Sequence, residues 1–174
     1  MIDPYIKLAK NTVETYIKTG KIITSPDNLP QEMYTRRAGV FVSIHKRDGS
    51  LRGCIGTFKP TKKNIAQEIM TNAIAAAAHD PRFPPVTEKE LPNLVFSVDI
   101  LSKPQLVANR QSLDPKKYGI IIQTKDGRRA LLLPNLEGVD TVAQQISICR
   151  QKAWIPEDEP ITIYHFTVER HGKK

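Results

Sequence analysis

Apolar residues at helical spacing open the chain. Tyr5, Leu8, Ala9, Val13, Tyr16 and Ile17 recur at steps of three and four, the period of one helix face. Asp3 is a good N-cap, Pro4 suits the first helical position, and Gly20 ends the run. Residues 21–33 carry Pro26 and Pro30 and predict a connecting loop. The period then shortens. Val40-Phe41-Val42-Ser43-Ile44 reads as a strand, Lys46-Arg47-Asp48-Gly49 turns the chain, and residues 51–58 return, which is a hairpin. Asn64 with Gln67 forms a capping-box pattern ahead of a helix whose stripe is Ile65, Ile69, Ala73 and Ala76. That helix stops before Pro81, because the residue ahead of a proline resists the helical region. Asp80-Pro81-Arg82-Phe83-Pro84-Pro85 is a stiff loop, Thr87 and Glu90 cap a single turn, and residues 94–101 form a strand.

The order then repeats. Residues 118–124 read as a strand, Lys125-Asp126-Gly127 as a turn and residues 129–133 as its return. Thr141 with Gln144 caps a helix striped by Val142, Ile146, Cys149 and Ala153, and residues 161–168 close the chain as a strand. Gly39 and Gly119, and the two Asp-Gly turns, lie about 80 residues apart, a spacing that means a doubled unit rather than a solenoid. The expectation is an α+β fold with a largely antiparallel sheet. It has two lobes from a weak internal duplication, hairpin-helix-strand twice, within one domain over residues 3–170.

The chain has 174 residues, of which 40% are hydrophobic and 25% charged. That composition excludes disordered, collagen-like and disulfide-scaffold classes. The longest uncharged run, residues 69–79, falls short of the ~20 residues a membrane helix needs. The start Met-Ile-Asp-Pro puts an acid where a signal peptide needs a cationic residue, and two cysteines suit a reducing compartment. A cytoplasmic protein with no membrane contact is expected. The net charge of +8 favours anionic partners: phosphates, carboxylates, nucleic acid or an acidic protein. The doublets Arg36-Arg37, Lys62-Lys63, Lys116-Lys117 and Arg128-Arg129 lie in different segments, the pattern of a solvated basic surface.

The most informative stretch is Leu51-Arg52-Gly53-Cys54-Ile55-Gly56. As a strand it turns Leu51, Gly53 and Ile55 to one side and Arg52 and Cys54 to the other. Two residues span about 6.6 Å of backbone, within reach of a guanidinium, and a nearby cation raises a thiol's thiolate fraction. Gly53 and Gly56 let a ligand or another strand approach the backbone. The functional reading is a reactive Cys54, or an anion pocket with Arg52 as its fork. The alternative is a small buried cysteine, a surface arginine and two packing glycines. Asp80 and Arg82 carry opposite charges on a rigid loop, either as ligand-binding groups or as an internal pair at a structural corner. Cys149 sits on its helix's apolar stripe and is expected in the core, as is Trp154, the one tryptophan. No histidine pair has metal-ligand spacing, so no metal site is expected, though His45 or His79 could serve Cys54 as a base.

The residues 39–44, the motif from Leu51 to Gly56, Asp80-Pro81-Arg82-Phe83-Pro84-Pro85-Val86-Thr87 followed by Glu90-Leu91-Pro92, and Leu131-Leu132-Leu133-Pro134 together resemble the AMMECR domain family. Its prokaryotic members are called AmmeMemoRadiSam system protein A. The resemblance runs from near Asp3 to near Val168, and its six-residue motif is highly specific. One departure is Trp154, where similar proteins usually have a glycine. The resemblance implies a two-lobed α+β fold with the glycine-cysteine motif near a cleft. It also implies association with a Memo-like protein, related to metal-dependent dioxygenases, and with a radical SAM enzyme. It supplies no reaction, and no cofactor is implied by this chain itself.

Two functions of different class follow. One is an accessory component with a cleft for an anionic small molecule, Cys54 serving as nucleophile and Arg52, Arg82, Asp80, Gly53 and Gly56 shaping the site. The other is a non-catalytic module that binds a partner protein and presents it for modification. Nucleic-acid binding is a distant third, because no recognised motif is present, aromatics are only 6% and the basic doublets are dispersed.

Overall fold

The computed structural model describes residues 3–172. Helix α1 (Pro4–Thr19) begins where the Asp3 carboxylate accepts the Tyr5 and Ile6 amides, and ends at Gly20 in the left-handed region. A five-residue helix, α2 (Gln31–Thr35), follows Pro30 at the end of the segment expected to be loop. It is too short to show a period and is held by the fully buried Met33. Strands β1 (Val40–Lys46) and β2 (Leu51–Thr57) form the first hairpin. Helix α3 (Ile65–Ala78) starts at Asn64, whose side chain accepts the Gln67 amide. A 3-10 turn (Glu88–Asn93) with a Thr87–Glu90 capping box leads into β3 (Leu94–Leu101). Next come the two-residue β4 (Gln105–Leu106) and a 3-10 turn (Arg110–Ser112), neither of which has a sequence signal. The second hairpin is β5 (Gly119–Gln123) and β6 (Arg129–Leu132), followed by α4 (Val142–Ala153). The expected last strand is two strands, β7 (Thr162–Phe166) and β8 (Val168–His171), because Thr167 leaves the ladder and bonds Ser102.

The chain divides into two compact units, residues 1–100 with 169–174, and residues 101–168. The first holds a sheet of order β2-β1-β3-β8, the second one of order β4-β7-β5-β6. The pairings of β1 with β2 and β3, of β5 with β6 and β7, and of β4 with β7 are antiparallel. In the first unit α1 and α3 pack together and α3 lies on β1 and β2. The core between them includes Leu8, Val13, Val40, Val42, Ile44, Ile69 and Val98. In the second, α4 covers β5 and β6 over Ile120, Ile122, Cys149 and Ile163. Each unit contains a hairpin, a helix and a strand beside the hairpin's first strand. That is a likeness of architecture, and the duplication itself rests on the spacing of the turns.

Trp154 departs from expectation. It is 88% exposed. The helix ends at Ala153 and the backbone at 154 turns left-handed (φ 54°, ψ 42°), which carries the indole off the apolar stripe. This is a conformation in which glycine has no steric cost. No helix among the described residues is long and apolar enough to cross a membrane.

Candidate functional site

Strand β2 lies at one edge of its sheet, so the outward amide and carbonyl groups of alternate residues have no ladder partner. At Cys54 both are taken by the loop that follows α3. The Asp80 carboxylate accepts the Cys54 amide at 2.9 Å, and the Arg82 guanidinium donates through Nη2 to the Cys54 carbonyl at 3.1 Å. Asp80 also accepts the Arg82 amide and Nε, each at 3.0 Å, and Nη2 at 2.8 Å. Asp80 is buried while the Arg82 side chain stays 54% exposed. Hydrogen bonds from Arg82 hold the Asp80 carboxyl well below the usual carboxylate range, and the Cys54 amide adds to this against the opposing effect of burial. The same pair raises the pKa of Arg82.

The Cys54 side chain is half-buried and receives the Ser43 hydroxyl at 3.2 Å. Ser43 stands opposite Cys54 on β1. No reading of the sequence singled it out, although a serine within Val40-Phe41-Val42-Ser43-Ile44 was the signal that could have found it. His79 is exposed at the end of α3, and His45 is half-buried on β1.

Arg52 corrects the expected geometry. Ile44 pairs with Gly53 and His45 with Leu51, which leaves Arg52 as the extra residue of a β-bulge and breaks strict alternation. Its guanidinium faces Glu90, not the thiol, with Nε to Oε1 at 2.7 Å and Nη2 to Oε2 at 3.2 Å. The Arg52 side chain is only 7% exposed, and its buried Nη1 has no hydrogen-bond partner among the described residues. Glu90 also accepts the Thr87 amide and hydroxyl. Bonds from Arg52, with those from Thr87, lower its pKa to about 2 although burial opposes them. The Phe83 ring lies 6.0 Å from the Arg52 Cζ and 5.6 Å from that of Arg82.

The two glycines serve packing. A β-carbon on Gly53 would stand 2.1 Å from the Ala76 carbonyl oxygen of α3, and one on Gly56 would stand 2.2 Å from the Phe41 ring. The approach these residues permit is that of a helix and a phenyl ring, and their side-chain space holds no room for a ligand. The structure thus brings Cys54, Asp80 and Arg82 together, and sets Arg52 beside them as a buried strut. Among the described residues no group of three or more His, Cys, Asp or Glu could hold a metal ion. Cys149 is fully buried, and burial pushes its thiol up to about 11.

The AMMECR1 family model matches residues 6–171. A Thermotoga maritima protein is 56% identical over 169 residues, covering 97% of each chain. A Clostridium acetobutylicum protein is 50% identical over 170 residues, 97% of this chain, and this chain spans only 36% of that relative's length. The crystal structure of an uncharacterized Pyrococcus horikoshii protein has a TM-score of 0.84 and 32% identity, over 95% of this chain and 88% of that one.

Proposed function

The chain belongs to the AMMECR1 family, and from that premise we propose that it is an accessory component that holds an anionic ligand at Arg82 beside the Cys54 thiol. The observation that carries this reading is a guanidinium fixed at two nitrogens by Asp80 and the Cys54 carbonyl, yet half open to solvent. Among the described residues nothing accepts from its Nη1. A donor fixed in place loses little entropy on binding an anion. Asp80 is its positioning residue. Cys54 is the nucleophile of this reading, with the Ser43 hydroxyl as the group that meets its sulfur. Arg52, whose fork is filled by Glu90, holds the 3-10 turn to β2 and leaves the anion to Arg82.

The partners in this reading are a Memo-like protein and a radical SAM enzyme, supplied by the family resemblance alone. The much longer Clostridium acetobutylicum relative accords with a domain that works joined to others. The second reading is a non-catalytic module that presents a bound protein. What favours it is that Arg82 and Arg52 are already neutralised by Asp80 and Glu90.

Thermal unfolding against graded citrate, inorganic phosphate, sugar phosphates and nucleotides separates the two. A ligand site gives a saturable stabilisation, about 2.7 kcal/mol at a hundredfold excess over Kd, that Arg82→Lys weakens because a lysine cannot reproduce the fork. Stabilisation that never saturates, as with excluded salts, or equal shifts in both proteins supports the presenting module.

A further inference from the structure

The basic doublets that lie apart in sequence do not all lie apart in the fold. The Ile65 amide donates to the Arg36 carbonyl at 3.0 Å, and the Arg37 Nε donates to the Lys62 carbonyl at 3.1 Å. These bonds set Arg36 and Arg37 against Lys62 and Lys63 at the start of α3, with Lys59 on the same loop. The loop itself is fixed. The buried Glu68 carboxylate accepts the Thr57 and Thr61 hydroxyls and the Thr61 and Lys62 amides, at 2.7 to 2.8 Å. Burial alone would raise its pKa, but these bonds carry the net shift down, so it stays ionised. All five cations are exposed. Among the described residues only Arg36 has a carboxylate partner, Glu169 at 3.2 Å.

We infer that this patch, at the end of α3 away from Cys54, docks an acidic face of a partner protein. Lone lysines on a mobile loop are usually just solvated. Here the side chains of Arg37, Lys59, Lys62 and Lys63 have no carboxylate partner among the described residues and outnumber the one buried charge of Glu68 that holds their backbone, which leaves a local positive potential at little ordering cost. The helix start adds no pocket for a single phosphate. Its Ile65, Gln67 and Glu68 amides are already bonded to Arg36, the Asn64 side chain and the Asn64 carbonyl, so recognition runs through side-chain charge over an extended surface. The Phe58 ring lies beside these cations, with Lys59 5.7 Å from its centre. Nucleic acids bound as single strands need several stacking rings, so carboxylates are the better fit. Helix α3 has 14 residues, about 21 Å at 1.5 Å per residue, so a partner docked here leaves the Asp80 end of the helix open.

Fluorescence anisotropy of labelled poly-L-glutamate, titrated with the full chain at rising salt, tests this. Lys62→Glu/Lys63→Glu is expected to weaken binding about tenfold, since two attractions become repulsions. Lys62→Gln/Lys63→Gln, which only removes charge, gives a smaller loss in the same direction. Lys46→Glu/Lys89→Glu makes the same charge change within the first unit, at the end of β1 remote from Val40 and Thr57, and is expected to leave binding within about twofold. Polyglutamate is expected to leave the alkylation rate of Cys54 unchanged. Equal losses in the two charge-reversal variants overturn the inference, as does protection of Cys54 by polyglutamate. Tighter binding of a short DNA duplex or RNA strand at matched charge and salt also overturns it.

Discussion

The amide of Cys54 donates to the carboxylate of Asp80 at 2.9 Å, on the open edge of β2. One buried acid thereby closes the strand edge, holds Arg82 by three further bonds and fixes the backbone that carries the thiol. Removing it alters all three at once.

Asp80→Asn is therefore expected to cost about 2 kcal/mol at neutral pH, the scale of leaving a charged partner unmatched. The pH dependence changes too. Asp80 and Glu90 both have folded pKa values below their unfolded ones, the first held by Arg82 and the second lowered to about 2 by Arg52. Their stabilisation is full above the ordinary carboxylate range of about 4 and is lost as pH falls toward the folded values. Denaturant unfolding between pH 7 and pH 2 checks this, and the variant should show a flatter acid limb. Equal stability of the two proteins at pH 7 contradicts it.

Gly53→Ala and Gly56→Ala should separate. The first drives a β-carbon into the rigid Ala76 carbonyl, the second onto Cγ of the Phe41 ring, which only a change of χ1 in that half-buried side chain can move. Overpacking against backbone is expected to cost about 3 kcal/mol, against about 1 kcal/mol where a side chain yields. Equal urea midpoints for the two variants would show that α3 shifts off β2 freely.

Thiol labelling should distinguish the cysteines. Cys149 is fully buried and reacts only on unfolding, while the half-buried Cys54 reacts in the native state. The Ser43 hydroxyl donates to the Cys54 sulfur at 3.2 Å and helps fix where it sits, so Ser43→Ala should change the labelling rate of Cys54 about fivefold, the worth of one hydrogen bond. Mass spectrometry of each cysteine peptide after timed alkylation reads both. Native labelling of Cys149 would mean that α4 turns a different face inward.

Trp154→Gly should raise the melting temperature. The position is left-handed and the indole is mostly in water, so the substitution relieves about 1 kcal/mol of strain and forfeits little packing. A lowered melting temperature would show that the indole is held by contacts of its own.

What was legible in the sequence followed from local signals. Asp3, Pro4 and Gly20 mark both ends of α1, Thr141 and Gln144 cap α4, and the two Asp-Gly turns place both hairpins, because caps and turns act within four residues. Strand β3 was legible at both of its boundaries. Helix α2 and strand β4 were not, since five residues and two residues carry no period. The candidate site was half legible. Cys54, Asp80 and Arg82 do meet, but Arg52 turns to Glu90, 38 positions along the chain. Periodicity assigns a residue to a face and says nothing of which distant group stands opposite it. The bulge that re-aims Arg52 has no local signature, and the meeting of Arg36–Arg37 with Lys62–Lys63 arises only when β1 and α3 pack.

Whether Arg82 holds an anion beside Cys54 is read most directly by timed alkylation of Cys54 against rising concentrations of whichever anion gives a saturable thermal shift. Protection of Cys54 should saturate with the same midpoint as the thermal shift, and Arg82→Lys should lose both together. An anion that stabilises the fold while Cys54 alkylates at its original rate, or that protects parent and Arg82→Lys alike, would contradict a site at Arg82.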